Sequence, residues 1–255
     1  MNGLFSLEGR VAVVSGAGRG IGKALATGLA DAGADVVCVS RTAAQNEETA
    51  ALVRERGRRG MAITVDTAER EMVERMARTV VDEWGGIDIL VNNAGTNVRT
   101  PALDVGEQDW ETVLNTNLKG CFLMAQACGR VMCAAGYGRI VNIGSVAGVV
   151  SVRTGVAYAA SKGGLFQMTR SLAVEWARYG VLVNAIGPWY FRTPLAQQVL
   201  SDDAYLAAVI ERTPLRRVGE LEELVGPVVF LASAASSYVT GQALMVDGGV
   251  TAFCF

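Results

Sequence analysis

The chain is 255 residues long, 51% hydrophobic and carries a formal net charge of −2, so it can bury one sizeable core and has no excess of positive charge to offer a polyanion. No basic stretch alternates with aromatics, no apolar run is long enough to span a membrane and no signal peptide is read, which leaves nucleic-acid binding and membrane insertion without support. Histidine is absent: this removes Ser-His-Asp chemistry and histidine metal sites, no metal is expected, and any catalytic acid or base must be another residue.

In chain order, Val11-Ala12-Val13-Val14 is a short apolar run, the mark of a buried parallel strand. It leads into Ser15-Gly16-Ala17-Gly18-Arg19-Gly20-Ile21-Gly22 and then into helical periodicity over 20–32. A glycine-rich turn between strand and helix lets backbone approach a pyrophosphate at the helix N-terminus, where free N–H groups and the dipole favour anions. The spacing departs from G-x-G-x-x-G, with Ile21 and Lys23 where that pattern wants its last glycine. Further strands are expected at 35–40, 61–65, 87–92, 139–144, 181–186 and 243–246. Helices are expected at 44–58, 69–84, 107–135, 157–179 and 221–232, with Arg54, Arg56, Arg58 and Arg59 as the solvated end of one of them. The cysteines Cys38, Cys121, Cys128, Cys133 and Cys254 form no C-x-x-C, which predicts reduced, mostly buried thiols in a cytoplasmic protein.

This alternation predicts an α/β fold: a Rossmann-like, doubly wound parallel sheet of about seven strands with helices on both faces, as a single domain over 1–255. Ligands then bind beyond the C-terminal strand ends, at the topological switch point. The long irregular stretch from Gly187 to about Leu200 carries Pro188, Trp189, Tyr190, Phe191 and Pro194, and residues 187–212 read as a substrate lid.

The second strand ends in Ser40-Arg41, where an acidic residue would bind a ribose diol and repel a 2′-phosphate. Arg41, with Arg19 from the glycine loop, favours NADP by charge complementarity. In the alternative, Arg41 stacks on adenine or faces water and the cofactor is NAD. Tyr158 and Lys162 lie four apart in Tyr158-Ala159-Ala160-Ser161-Lys162, on one face of the expected helix. An ammonium beside a phenol favours the phenolate, as an acid/base catalyst needs.

With the motifs in this order, the chain resembles the short-chain dehydrogenase/reductase family over nearly its whole length. Ser15, Gly16, Gly20 and Gly22 match the family's T-G-x-x-x-G-x-G, with serine for threonine. Asn92-Asn93-Ala94-Gly95 matches its N-N-A-G, and Asn117 falls at its helix asparagine. Ser145, in Ile143-Gly144-Ser145, precedes the Tyr158/Lys162 pair by the expected interval. The resemblance implies that Tyr158 gives or takes a proton on the substrate oxygen as hydride moves. Lys162 supports Tyr158 and binds the nicotinamide ribose, Ser145 stabilises charge on the substrate oxygen, and Asn117 holds a proton-relaying water. It implies cofactor contacts from Ser15, Gly16, Gly18, Arg19, Gly20, Ile21, Gly22, Ser40, Arg41, Asn93, Ala94, Gly95, Tyr158, Lys162 and Pro188. Asp66 with Thr67 would contact adenine, and Thr193 the carboxamide. A homotetramer is implied too, with Phe122, Met124, Phe166, Met168 and Trp176 on the two long helices as apolar residues for subunit pairing.

For substrate, Arg99, Arg153 and Arg192 are candidate clamps for a carboxylate or phosphate; each alone, among twenty arginines, is more readily read as a surface arginine. Residues 92–99 and Tyr190-Phe191-Arg192-Thr193-Pro194-Leu195 resemble the gluconate 5-dehydrogenase and 2-deoxygluconate 3-dehydrogenase subgroup. The expected substrate is therefore a sugar acid or polyol, with reduction of a 3-oxoacyl-carrier-protein thioester as the rival. Pro188-Trp189 replaces the family's Pro-Gly and puts a large ring near the nicotinamide and substrate. A non-catalytic nucleotide sensor or a structural subunit is the reading from another class; a lost catalytic residue would favour it, and none is lost.

Overall fold

The computed structural model describes residues 3–151 and 155–253, apart from the side chains of Pro194, Leu195 and Gln198. Seven strands form one sheet in the order β3-β2-β1-β4-β5-β6-β7, every neighbouring pair parallel. They are β1 (Val11–Ser15), β2 (Asp35–Ser40), β3 (Gly60–Thr64), β4 (Ile89–Asn92), β5 (Gly138–Ile143), β6 (Val181–Pro188) and β7 (Ala243–Val246). The chain starts at β1, winds to β3, then crosses back to place β4 on the other side of β1, so the switch point lies between β1 and β4.

Successive residues of a strand face opposite sides of the sheet, and here both sides are covered. Ala12, Val14, Val36 and Cys38 pack with Leu25 and Leu29 of α1 (Gly20–Asp31) and with Val228 and Leu231 of the late helix Val225–Ala232. Val11, Val13, Val37 and Val39 face the other way, onto the helices Arg70–Trp84, Gly120–Ala135 and Val156–Trp176 through Met76, Val80, Met124, Met132 and Leu172. Continuous Val/Ile runs are what a doubly covered parallel strand needs. Cys38, Cys121 and Cys128 are free and buried, and burial pushes the Cys38 and Cys128 thiols up to about 12.

Two expectations need correction. The helix expected over 107–135 is interrupted: Glu107–Leu114 passes into a π-turn, Asn115–Lys119, before Gly120–Ala135. The stretch from Gly187 to Leu200 is irregular only over 189–193. β6 runs on to Pro188, and the helices Pro194–Leu200 and Asp203–Arg212 follow. Each is started by a side-chain cap, Thr193 Oγ1 accepting from Ala196 N and Asp202 Oδ1 from Tyr205 N, the first with Pro194 in its opening turn. Those are ordinary helix-start signals.

Candidate active site

The loops that leave β1 and β4 at the switch point are fastened to each other. Ser15 Oγ accepts from Asn93 N (3.0 Å) and Ala94 N (3.1 Å), and Asn93 Nδ2 donates to Ser15 O (3.1 Å) and Gly16 O (3.3 Å). Ser15 is thus a buried tie behind the cavity and not part of its wall. Gly16 adopts φ +66°, and a Cβ on Gly22 would stand 2.1 Å from the Gly16 carbonyl oxygen. The backbone is folded against itself there in a way that only glycine allows. Arg19, at the N-cap of α1, supplies no side-chain cap, so the first N–H groups of this helix face the loop without a protein acceptor.

A cavity of about 470 Å³ opens above these loops. Its wall includes Gly16 and residues 18–22 of the glycine loop, Ser40, Arg41, Asp66, Thr67, Asn93, Ala94 and Gly95, and on the far side Ser145, Tyr158, Lys162, Pro188, Trp189 and Thr193. Arg19 and Arg41 are exposed, and neither pairs with a carboxylate among the described residues. Ser40 Oγ is held 2.5 Å from Asn46 Oδ1.

Tyr158 and Lys162 sit one turn apart on the helix Val156–Trp176. Lys162 is 4% exposed; its Nζ donates to Ile143 O (2.7 Å) and lies 5.7 Å from the Tyr158 ring centroid. Among the described residues the Tyr158 hydroxyl has no hydrogen-bond partner. Ser145 Oγ accepts from Ala147 N (3.1 Å), which leaves its own hydrogen free to donate. The π-turn turns Asn117 inward: Oδ1 accepts from Thr96 N (2.8 Å), and Nδ2 donates to Thr96 O (2.9 Å) and Ser161 Oγ (3.1 Å). One amide hydrogen thus clamps the loop after Gly95 and the other ties the turn to the helix that carries Lys162. π-turns inside α-helices are often found at functional sites.

The substrate arginines separate. Arg99 lines the cavity, its Nη1 donating to the hydroxyls of Tyr190 and Tyr205, both at 3.4 Å. Arg192 points away and pairs with Glu220 (2.9 Å). Arg153 lies outside the described residues. Trp189 Nε1 donates to Thr213 Oγ1 (3.1 Å), and the indole meets Tyr190 edge-on, with ring centroids 4.7 Å apart. Sequence reasoning missed Tyr205, Asn97 and Gln45 in the cavity wall. Tyr205 belongs to the helix Asp203–Arg212, where no motif marks it.

The profile of a family described as Enoyl-(Acyl carrier protein) reductase matches residues 16–251. The 2-dehydro-3-deoxy-D-gluconate 5-dehydrogenase of Escherichia coli (strain K12) is 43% identical over 249 residues, 96% of each chain. The gluconate 5-dehydrogenase of Gluconobacter oxydans (strain 621H) is 40% identical over 97% of each chain. Among solved structures, a gluconate 5-dehydrogenase from Burkholderia cenocepacia J2315 in complex with NADP and tartrate superposes with a TM-score of 0.96 at 41% identity, over 99% of each chain.

Proposed function

The chain belongs to the short-chain dehydrogenase/reductase family and is an oxidoreductase acting on CH–OH groups, and on that footing we propose that it transfers hydride between NADP and a secondary alcohol or ketone of a sugar acid. The observation that carries the reading is one cavity whose wall holds an uncapped glycine loop, Arg19 and Arg41 with no carboxylate partner among the described residues, and a Tyr158 hydroxyl with no hydrogen-bond partner among them.

The residues present fit a phosphorylated dinucleotide. The Gly16–Gly22 cradle would be filled by any Cβ, the start of α1 offers N–H donors to a pyrophosphate, and Arg41 and Arg19 suit a 2′-phosphate. Asp66 and Thr67 line the adenine end; Asn93, Ala94, Gly95, Pro188 and Thr193 line the nicotinamide end. The relative solved with NADP supports the same choice over NAD. When bound, the nicotinamide supplies or accepts the hydride. Tyr158 gives or takes the proton on the substrate oxygen, its hydroxyl having no partner among the described residues. The Lys162 ammonium, fixed by Ile143 O beside the Tyr158 ring, supports Tyr158 in that proton transfer and holds the nicotinamide ribose. Ser145 donates its remaining hydrogen to the substrate oxygen. Asn117 positions the loop after Gly95, and the second lone pair of its Oδ1 holds the water that relays protons from Lys162. Arg99 is the cation for a substrate carboxylate, and Trp189 narrows the room for a long acyl chain. Residues 187–212 form the lid over this site.

Following nicotinamide absorbance over a panel of sugar acids, polyols and oxoacyl thioesters tests the reading. Sugar acids should be turned over fastest; faster turnover of acyl thioesters overturns it. We propose a homotetramer in the cytoplasm. Met124 and Phe166, offered above for subunit pairing, are buried within the chain, and Met168 and Trp176 pack against its core. The proposal therefore rests on Trp110, Phe122 and Val174, which are exposed on the helices around them. A sedimentation mass equal to one chain refutes it.

A further inference from the structure

Arg99, Tyr190 and Tyr205 come from three separate segments, the loop after β4, the residues after β6 and the helix Asp203–Arg212, and meet at the cavity wall. The two phenol oxygens are 2.5 Å apart, and their rings meet edge-on with centroids 6.0 Å apart. Arg99 Nη1 reaches both hydroxyls, and the guanidinium has no carboxylate partner among the described residues.

Counting hydrogens shows what this cluster lacks. A phenol has one hydrogen to give, and a guanidinium has five N–H donors and no acceptor. The short contact between the phenols uses one hydroxyl hydrogen. The other phenol receives that hydrogen bond and is also approached by Arg99, so its own hydrogen finds no acceptor within the cluster. Most of the guanidinium donors likewise have no partner among the described residues. Burial first, and then the bond to Tyr205, push the Tyr190 phenol above its ordinary range despite the opposing pull of Arg99, so this hydroxyl keeps its proton. The cluster is a set of donors around a positive charge with nothing of its own to receive them. An oxyanion would complete it.

We infer that Tyr190 and Tyr205 join Arg99 in a carboxylate-reading subsite, in which the hydroxyl hydrogen left over by the phenol pair is donated to the anionic end of the substrate. The inference rests on the sugar-acid reading above and assigns substrate discrimination to a residue of the lid helix. It also makes an unusual demand on mutants. Tyr190→Phe or Tyr205→Phe alone abolishes the internal bond and so still leaves one free hydroxyl hydrogen, whereas the double variant leaves none. Loss should therefore be small in each single variant and large in the pair, more than the two single effects combined.

The test compares D-gluconate with D-gluconamide, which keeps the polyol and loses the charge. In each single variant the ratio of kcat/KM for gluconate over gluconamide should fall by no more than about threefold. In Tyr190→Phe/Tyr205→Phe it should fall by about 10- to 100-fold, as expected for loss of a hydrogen bond to a charged group, and mostly through KM for gluconate. An equal loss on both compounds means that the pair only braces the lid, and overturns the inference; so does an unchanged ratio. Calorimetric titration of the NADP-loaded protein with tartrate separates this inference from the reading beneath it. If no sugar acid is turned over, the functional reading fails alone, and the subsite stands if tartrate binds at least tenfold more weakly to the double variant than to the wild type. Equal tartrate affinity in the two proteins overturns the subsite whatever the substrate.

Discussion

At the N-terminal ends of the strands, charges close on each other. Arg10, ahead of β1, donates to Asp88 Oδ1 ahead of β4, and Val11 N donates to Asp88 Oδ2, both at 2.8 Å. Asp35, opening β2, accepts from Arg59 N (2.9 Å) and Nε (2.7 Å), with Arg58 Nε at 3.4 Å. Arg10 and Arg139 lie against the Tyr137 ring. At the opposite ends of the same strands, Arg19, Arg41 and Arg99 have no carboxylate partner among the described residues, and the hydroxyls of Ser145 and Tyr158 keep hydrogens to give. A parallel sheet puts all strand starts on one edge and all strand ends on the other, so one chain can hold both regimes. The paired edge supports stability; the unpaired edge is left for a ligand to complete. Such donors and cations are tolerated because they face a cavity and not a core.

The sharpest way to break this contrast is Tyr158→Phe. It should cut kcat by about 10²- to 10⁴-fold, the usual worth of a positioned acid/base group, with little change in NADP affinity or thermal midpoint. A comparable loss of stability would mean that the open edge is structural after all. Next in size, Arg41→Asp should weaken NADP binding by roughly 10- to 100-fold, as for one charge-assisted contact, and shift preference toward NAD. Titration with both dinucleotides reads this directly, and a wild type that prefers NAD would give Arg41 another role.

The closed edge should answer in the opposite currency. Asp35→Ala removes the acceptor for Arg59 N and Nε and should cost about 1–3 kcal/mol in denaturant unfolding, with kcat/KM preserved at ambient temperature. The smallest effect is in acid. Burial pushes the Asp35 carboxyl up, but the backbone and side-chain bonds from Arg59 and the charges of Arg59 and Arg58 prevail and hold it below 3.8. Its stabilisation is therefore full above about pH 4 and lost as pH falls through the lower folded value. Below about pH 4 the denaturation midpoint of the wild type should drop more steeply with falling pH than that of Asp35→Asn. Parallel curves would mean that Asp35 does not carry the acid response.

Most of the sheet was legible because doubly covered parallel strands write themselves as apolar runs such as Val11-Ala12-Val13-Val14, and the glycine loop because close backbone approach admits no other residue. The Tyr158/Lys162 pair showed through its helical spacing. What stayed hidden was whatever depends on partners distant in sequence. Ser15 looked like a cavity residue until its bonds to Asn93 and Ala94 placed it behind the wall. Arg192 looked like Arg99 until Glu220 claimed it. Tyr205 had no local signal, since its role comes from two residues more than a dozen positions away or further. The helices after Thr193 and Asp202 start at ordinary side-chain caps, a local signal that the expectation of an irregular stretch leaves unused.

The π-turn at Asn115–Lys119 sets a phase. Each residue added to an α-helix advances the direction of everything after it by roughly 100°. Leu123, Met124, Cys128 and Met132 meet the sheet only at the phase this irregular turn leaves behind. Deleting one residue to regularise the turn would swing that row off the core, so the irregularity cannot drift away by small steps. The position of Asn117 is thereby secured by side chains two to four turns down the helix, which touch no substrate at all.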